Sequence, residues 1–474
     1  MPIDTSAEQE WEAARLIPIA GISGDRERER RAASALLAVI AAVPDFGHSL
    51  LKPMKAPKGR IRTYTEVRLK DQAGQTQTPD GVIVSERGKK RWACVVEFKT
   101  GRSQLDGTQV ERYLGAAREH GFDGMLTISN QLSPDADWLP YDVDGRKLRG
   151  LSVRHLSWWA VLTEAILQHR FQGISDPDQA YMLGELVRYL SDERSGAAAF
   201  EGLGESWTAV REQVRHGSLR ANDPGAREVA ARWEQFFRSL CLTLSQELGI
   251  EVTRQGRKAL AERVDTATAM LATDGVLSGA FRVPEAVGPV TIEASLATGQ
   301  IAASVEIDAP KNRQRPTARV NWLLRQLEDA SDDLRVDVKF ANTKGVHSKR
   351  LGECTDDPNC LLLPEDPRRE PRAFVLVQSR PMGRRTGRGG SAFIADTRKL
   401  ATDFYRDLVQ DLRAPAPRPP RLAKESEQAE HASSEPSVEG DAVDEPSADP
   451  LPPEPGMPPA RQDVGRPTDF VERG

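Results

Sequence analysis

Thr78-Pro79-Asp80-Gly81-Val82-Ile83-Val84 and, after a short charged turn, Trp92-Ala93-Cys94-Val95-Val96-Glu97-Phe98-Lys99 make up the stretch that decides the fold. Two apolar runs flanking a polar turn have the pattern of a strand pair. Each carries an acid where a buried strand tolerates none: Asp80 opens the first, and Glu97 lies in the second, seventeen positions on. An unpaired carboxylate there costs on the order of several kcal/mol unless a cation or water meets it. A divalent-metal site is the simplest reading. Along a strand, residues two apart face the same way, so Glu97 and Lys99 project together and Phe98 points to the opposite side. Asp80, starting the neighbouring strand, can bring its carboxylate beside Glu97. Two hard oxygen donors, with a backbone carbonyl and waters, suit Mg²⁺ or Mn²⁺.

Outward from this pair, residues 25–43 alternate Arg and Glu and then become apolar, which predicts a helix with a solvated start and a buried end. Residues 61–69 alternate in strand fashion, and 103–119 read as a helix with Leu105, Val110, Tyr113, Leu114 and Ala117 on one face. Residues 125–128 and 151–156 read as two further strands, with a helix over 158–167 behind the second. The resulting order is helix, three strands, helix, strand, with one more strand and helix added.

Pro79-Asp80 and Glu97-Phe98-Lys99, set in that order of elements, resemble the signature of the PD-(D/E)XK nuclease superfamily. The resemblance covers roughly residues 31–167, a little under a third of the chain. It implies an α/β restriction-endonuclease-like core that hydrolyses DNA with Mg²⁺ or Mn²⁺. Asp80 and Glu97 would be the metal ligands and Lys99 the catalytic lysine. Glu66 becomes a further acidic site residue, because many members carry one upstream of the Asp; it reads equally as an exposed strand carboxylate paired with Arg68 or Lys70. Gln109-Val110-Glu111-Arg112-Tyr113 resembles the Gln-x-x-x-Tyr element of RecB-like members. Gln109 and Tyr113 share a helix face and would reach the site or the nucleic acid; ordinary helix packing explains them as well. Val336-Asp337-Val338-Lys339-Phe340 has the same acid–lysine spacing but lacks the preceding Pro-Asp strand, and reads as a solvated strand face.

Between Lys52 and Arg102 the chain carries thirteen Lys and Arg residues against five acids, although the whole protein has a formal net charge of −5. Around a carboxylate cluster, such a basic field favours a phosphodiester substrate. Arg380, Arg384, Arg385 and Arg388, interleaved with glycines, read either as a phosphate-contacting loop or as an ordinary surface turn.

The 474 residues predict several domains. Residues 1–170 hold the nuclease-like domain and 171–250 an α-rich segment. An α+β domain of unassigned role follows over 251–413, and 414–474 form a Pro- and acid-rich tail with the composition of a disordered segment. No apolar run approaches membrane-spanning length and no signal peptide is evident, so the expected compartment is the cytoplasm. Four cysteines are too few and too scattered for a disulfide framework. Cys354 and Cys360 would flank a small metal loop, but the partner pair that zinc needs is missing. The expected partners are DNA, a second copy where both strands are cut, and an unidentified trigger for the C-terminal domain; fusions of this kind resemble restriction or anti-phage defence nucleases. The competing class is a non-catalytic nucleic-acid-binding or stress-response regulator that keeps the fold.

Overall fold

The computed structural model describes residues 17, 24–65, 67–70, 74–135, 137–197, 200, 202–354, 357–382 and 391–416. The chain is a mixed α/β protein built on two main sheets. The first begins with helices α1 (Asp25–Ala42) and α2 (Pro44–Leu51), the latter opened by Pro44, whose missing N–H costs nothing in a first turn. Strand β1 (Arg60–Thr65) and the small pair β2 (Leu69–Lys70) and β3 (Thr76–Gln77) follow. Next come β4 (Gly81–Arg87), β5 (Lys90–Phe98), α3 (Gly107–Glu119), β6 (Gly124–Ser129), α4 (Gly145–Leu148), β7 (Ser152–Ser157) and α5 (Trp158–Ile166). The strands lie in the order β1-β4-β5-β6-β7. The first three are antiparallel, whereas β5, β6 and β7 are parallel.

The two-residue period sorts the central strands between two cores. Ile83, Cys94, Val96, Phe98, Leu126 and Ile128 pack under α1, α2, α5 and α6 (Pro177–Ser191). Val82, Val84, Ala93, Val95 and Met125 face α3 on the other side. Helices on both faces explain why β4 and β5 read as continuous apolar runs rather than as an alternation. Ser157 caps α5 by accepting the Ala160 N–H at 3.1 Å, and Trp158 is fully buried.

The helical stretch 171–250 divides between two cores, with α6 in the first while α7 (Trp207–Arg215) and α8 (Pro224–Leu248) join the second. In α8, Asp223 accepts the Gly225 N–H at 2.7 Å, Pro224 opens the first turn, and Gly249 ends the helix at φ 73°. The helix buries Trp233, Phe236, Phe237 and Leu240. After β8 (Thr253–Arg254) and α9 (Leu260–Thr273) come β9 (Val276–Arg282), β10 (Val290–Ser295), β11 (Gln300–Asp308) and α10 (Pro316–Leu324). Strands β12 (Arg335–Phe340), β13 (Val346–Arg350) and β14 (Pro371–Pro381) and helix α11 (Ser391–Asp407) follow among the described residues. Their seven-stranded antiparallel sheet runs β13-β12-β14-β11-β10-β9-β8.

Cys354 and Cys360 do not flank a metal loop; they form a disulfide. Cys94 and Cys241 are free and buried. The two sheet regions meet where α5 packs on α8. There Gln246 Nε2 donates to Thr163 Oγ1 at 2.7 Å, and Arg263 reaches Asp135 at 2.9 Å. Among the described residues no single helix is long and apolar enough to cross a membrane.

Candidate active site

The register sets the site. Gly81 pairs with Val96, so the start of β4 lies beside the end of β5, and Asp80 comes next to Glu97 and Lys99. The Asp80 carboxylate is anchored by the Phe98 N–H, which donates to Oδ2 at 2.8 Å. Glu97 is 2 % exposed. Its Oε1 accepts Lys99 Nζ at 2.7 Å, while its buried Oε2 meets no hydrogen-bond donor. Lys99 Nζ also donates to the Phe98 carbonyl at 2.9 Å and to Glu29 Oε1 at 3.3 Å.

The electrostatics follow from crowding. Burial, and then the Asp80 charge, push the Glu97 carboxyl up to about 8, against the pull of Lys99. A proton shared between the Glu97 and Asp80 carboxyls also favours the protonated form. Glu29 is raised by burial and by Asp80, with Lys99 opposing. Burial alone would lower Lys99, but the Glu97, Glu29 and Asp80 carboxylates outweigh it and hold the ammonium charged. Three acids thus gather around one lysine, and no N–H or O–H of another residue reaches the second Glu97 oxygen.

Glu29 was not legible in the sequence. It comes from the Arg/Glu-rich first turns of α1, seventy residues from Lys99, where alternating charge reads as a solvated face. Glu66 lies outside the described residues. Gln109 and Tyr113 act one step back from the carboxylates. Gln109 Nε2 donates to Tyr113 Oη at 2.9 Å, and Tyr113 Oη donates to the Thr78 carbonyl at 3.1 Å. They hold the chain two residues before Asp80, which makes them positioning residues. Burial, followed by the Glu97 charge, raises the Tyr113 phenol and keeps it a donor.

Behind the site, Trp158 Nε1 donates to the Lys99 carbonyl at 2.8 Å, and its ring stacks on Phe98 with centroids 5.7 Å apart. The loop is held from a third side as well, because Gly101 N donates to the Gly196 carbonyl at 3.1 Å.

Part of the basic field lies away from the carboxylates. Arg60 pairs with Glu86 in the β1–β4 register, and Arg87 with Lys90 across the β4–β5 turn, at the end of the sheet away from Asp80. At about 3.3 Å per residue, the length of β4 separates the two ends by roughly 20 Å. Glu86 partly neutralises that end, accepting Arg62 at 2.7 Å and Arg91 at 3.5 Å. Linear proximity in the sequence did not survive a strand pair that carries its turn to the far edge. Of the glycine-flanked arginines, Arg380 pairs with Asp403 at 2.8 Å; Arg384, Arg385 and Arg388 lie outside the described residues. Asp337 and Lys339 bond Arg335 and Glu306 on the open face of the second sheet.

Among the described residues no three His, Cys, Asp or Glu side chains already stand as a metal cage. The donor chemistry nevertheless fits a hard cation. Asp80 and Glu97 offer carboxylate oxygens at adjacent strand ends, and Glu97 Oε2, which no protein donor reaches, has a lone pair to offer. No protein-family model matches this chain, and no curated protein matches it.

Proposed function

We propose that the chain is a Mg²⁺- or Mn²⁺-dependent nuclease of the PD-(D/E)XK type that hydrolyses phosphodiester bonds in DNA. The buried Glu97 carboxylate carries this reading: it is pressed against Asp80, bonded on one oxygen to Lys99 and reached by no protein donor on the other. Crowding two carboxylates at a buried strand end, with no protein donor for Glu97 Oε2, is a costly arrangement for a purely structural ion pair, since an unsatisfied buried group costs about 1–3 kcal/mol. The order of elements around it, with three antiparallel strands, a crossover helix and a parallel strand, also supports the resemblance.

In this reading Asp80 and Glu97 hold the cation, with Glu29 as a further carboxylate at its margin. Bound there, the metal would polarise a phosphate oxygen and lower the pKa of a coordinated water. Lys99 is the chain's own contribution to the charged transition state. Its ammonium is fixed by Glu97, Glu29 and the Phe98 carbonyl before substrate arrives, and a preorganised cation needs no reorganisation as charge develops. Tyr113 and Gln109 keep the Asp80 loop in register through the Thr78 carbonyl. A role in restriction or anti-phage defence, in the cytoplasm and with a dimer for two-strand cleavage, rests on analogy with such fusions.

The full pairing of Lys99 favours one other reading, a regulator that keeps the fold and binds nucleic acid without cutting it. Incubation of plasmid and linear DNA with Mg²⁺, Mn²⁺ or EDTA separates the two, using wild type, Asp80→Ala and Lys99→Ala. Metal-dependent cleavage lost in both variants supports the nuclease. DNA binding without cleavage in any condition supports the regulator, and cleavage that survives both substitutions removes these residues from the site.

A further inference from the structure

A cavity of about 400 Å³ opens where the first sheet meets α8 and β8, with none of Asp80, Glu97 and Lys99 in its lining. One wall is apolar, built from Leu50, Met54, Leu126 and Leu156. The facing wall carries guanidinium groups. Arg254 is fully engaged, its Nε and Nη2 donating to Glu234 at 2.8 and 2.7 Å, its Nη1 to the Ala280 carbonyl at 3.4 Å, and its guanidinium lying 4.9 Å over the Phe237 ring. Arg154 is tied to Asp137. Arg238, from the middle of α8, is different. It is half-buried and lines the cavity, yet it forms no ion pair among the described residues.

The acids nearby do not answer it. Glu234 is consumed by Arg254 and Arg263, and Asp135 by Arg263; Glu251 lies at the cavity but is exposed. His155, which also lines the cavity, bonds Thr127 Oγ1 at 3.0 Å and the Gln131 carbonyl at 2.9 Å and is kept neutral by its burial, so it offers no competing charge. A half-desolvated guanidinium without a counter-ion is stabilised by an anion, and the planar fork favours phosphate. The volume lies within the range of small-molecule sites, which favour seams between packed units.

We propose that this cavity binds a small phosphorylated ligand with a flat apolar body, of the mononucleotide class, its phosphate on Arg238 and its ring against Leu126 and Leu156. The site joins the two sheet regions, because Arg238 and Arg254 come from one and the apolar wall from the other. It also abuts the active site: Ser157 lines the cavity, and the next residue, Trp158, holds the Lys99 carbonyl. The proposal does not depend on the nuclease reading.

The test is calorimetric titration of the full-length protein in EDTA with AMP, GMP, adenosine and inorganic phosphate, using wild type, Arg238→Glu, Arg238→Lys and Lys99→Ala. We expect a mononucleotide to bind wild type and Lys99→Ala alike. Arg238→Glu should weaken it at least tenfold and Arg238→Lys only a few-fold, with adenosine and phosphate each weaker than the nucleotide. Circular dichroism confirms that the variants fold. Binding lost in Lys99→Ala and kept in Arg238→Glu would place the nucleotide at the carboxylate site and overturn the proposal. So would absence of binding by any probe at millimolar concentration, or adenosine or phosphate matching the nucleotide.

Discussion

Trp158 and Lys99 are joined through the backbone, the indole N–H of the one donating to the carbonyl of the other at 2.8 Å. The ammonium at the site is therefore set by a helix start fifty-nine residues downstream. Trp158→Phe keeps most of the stacking on Phe98 but removes this bond. Loss of a buried hydrogen bond that leaves an acceptor unsatisfied costs about 1–3 kcal/mol. A lowered urea midpoint with an unchanged slope is expected, together with a several-fold fall in cleavage if the Lys99 position matters to the chemistry.

Glu29→Gln removes one of the two carboxylates on Lys99 without opening a cavity. Metal-dependent DNA cleavage should drop tenfold or more, while the far-ultraviolet circular dichroism spectrum stays that of wild type. Unchanged cleavage would make Glu29 a mere helix-face acid.

Tyr113→Phe deletes the hydroxyl that links Gln109 to the Thr78 carbonyl. The substitution should destabilise the fold by about 1–2 kcal/mol through the orphaned carbonyl. Gln109→Ala, which leaves the Tyr113–Thr78 bond intact, should cost less in the same urea titration.

His155 gives the stability a pH dependence. Burial holds its pKa down at about 4, against hydrogen bonds with the Gln131 carbonyl and Thr127 that favour the charged ring. Thr127 is itself 3.1 Å from the Tyr141 hydroxyl, and Trp138 sits edge-on to the ring. The unfolded chain takes up a proton near pH 6.5, the folded one only near 4. The stabilisation is therefore complete above pH 6.5 and is lost as pH falls from there toward 4, by about 3 kcal/mol in all. Urea titrations at pH 7.5, 5.5 and 4.5 should show this loss in wild type and a shallower one in His155→Gln.

The mixed α/β class and most central elements were legible because their signals are local. Strand pair β4–β5 has apolar runs around a polar turn, and α3 has a recurring apolar face. What stayed hidden depended on distant partners. Strand β9 carries Ser278 and Gly279, poor strand formers; Gly279 is there because the Phe237 ring of α8 leaves a Cβ only 2.6 Å of room. Helix α9 shows a weaker apolar stripe and buries little beyond Val264, Ala267 and Leu271. Asp80, Glu97 and Lys99 could be found together because one hairpin register joins them. Glu29 could not, since it arrives on another element, and the pairing of Cys354 with Cys360 had no sequence signature beyond their separation.

If the chain cuts DNA as proposed, the distance between the carboxylates and the basic turn of β4–β5 would act as a ruler. At about 3.4 Å per nucleotide along a strand, the roughly 20 Å run of β4 corresponds to about six nucleotides. Strand β4 is itself buried between its neighbours and the helices on both faces, so a polyanion would have to pass over the outer surface, and in the proposed nuclease a shorter oligonucleotide would meet the carboxylates without the basic turn. Substrate length, ahead of base sequence, would then be the first property this surface measures.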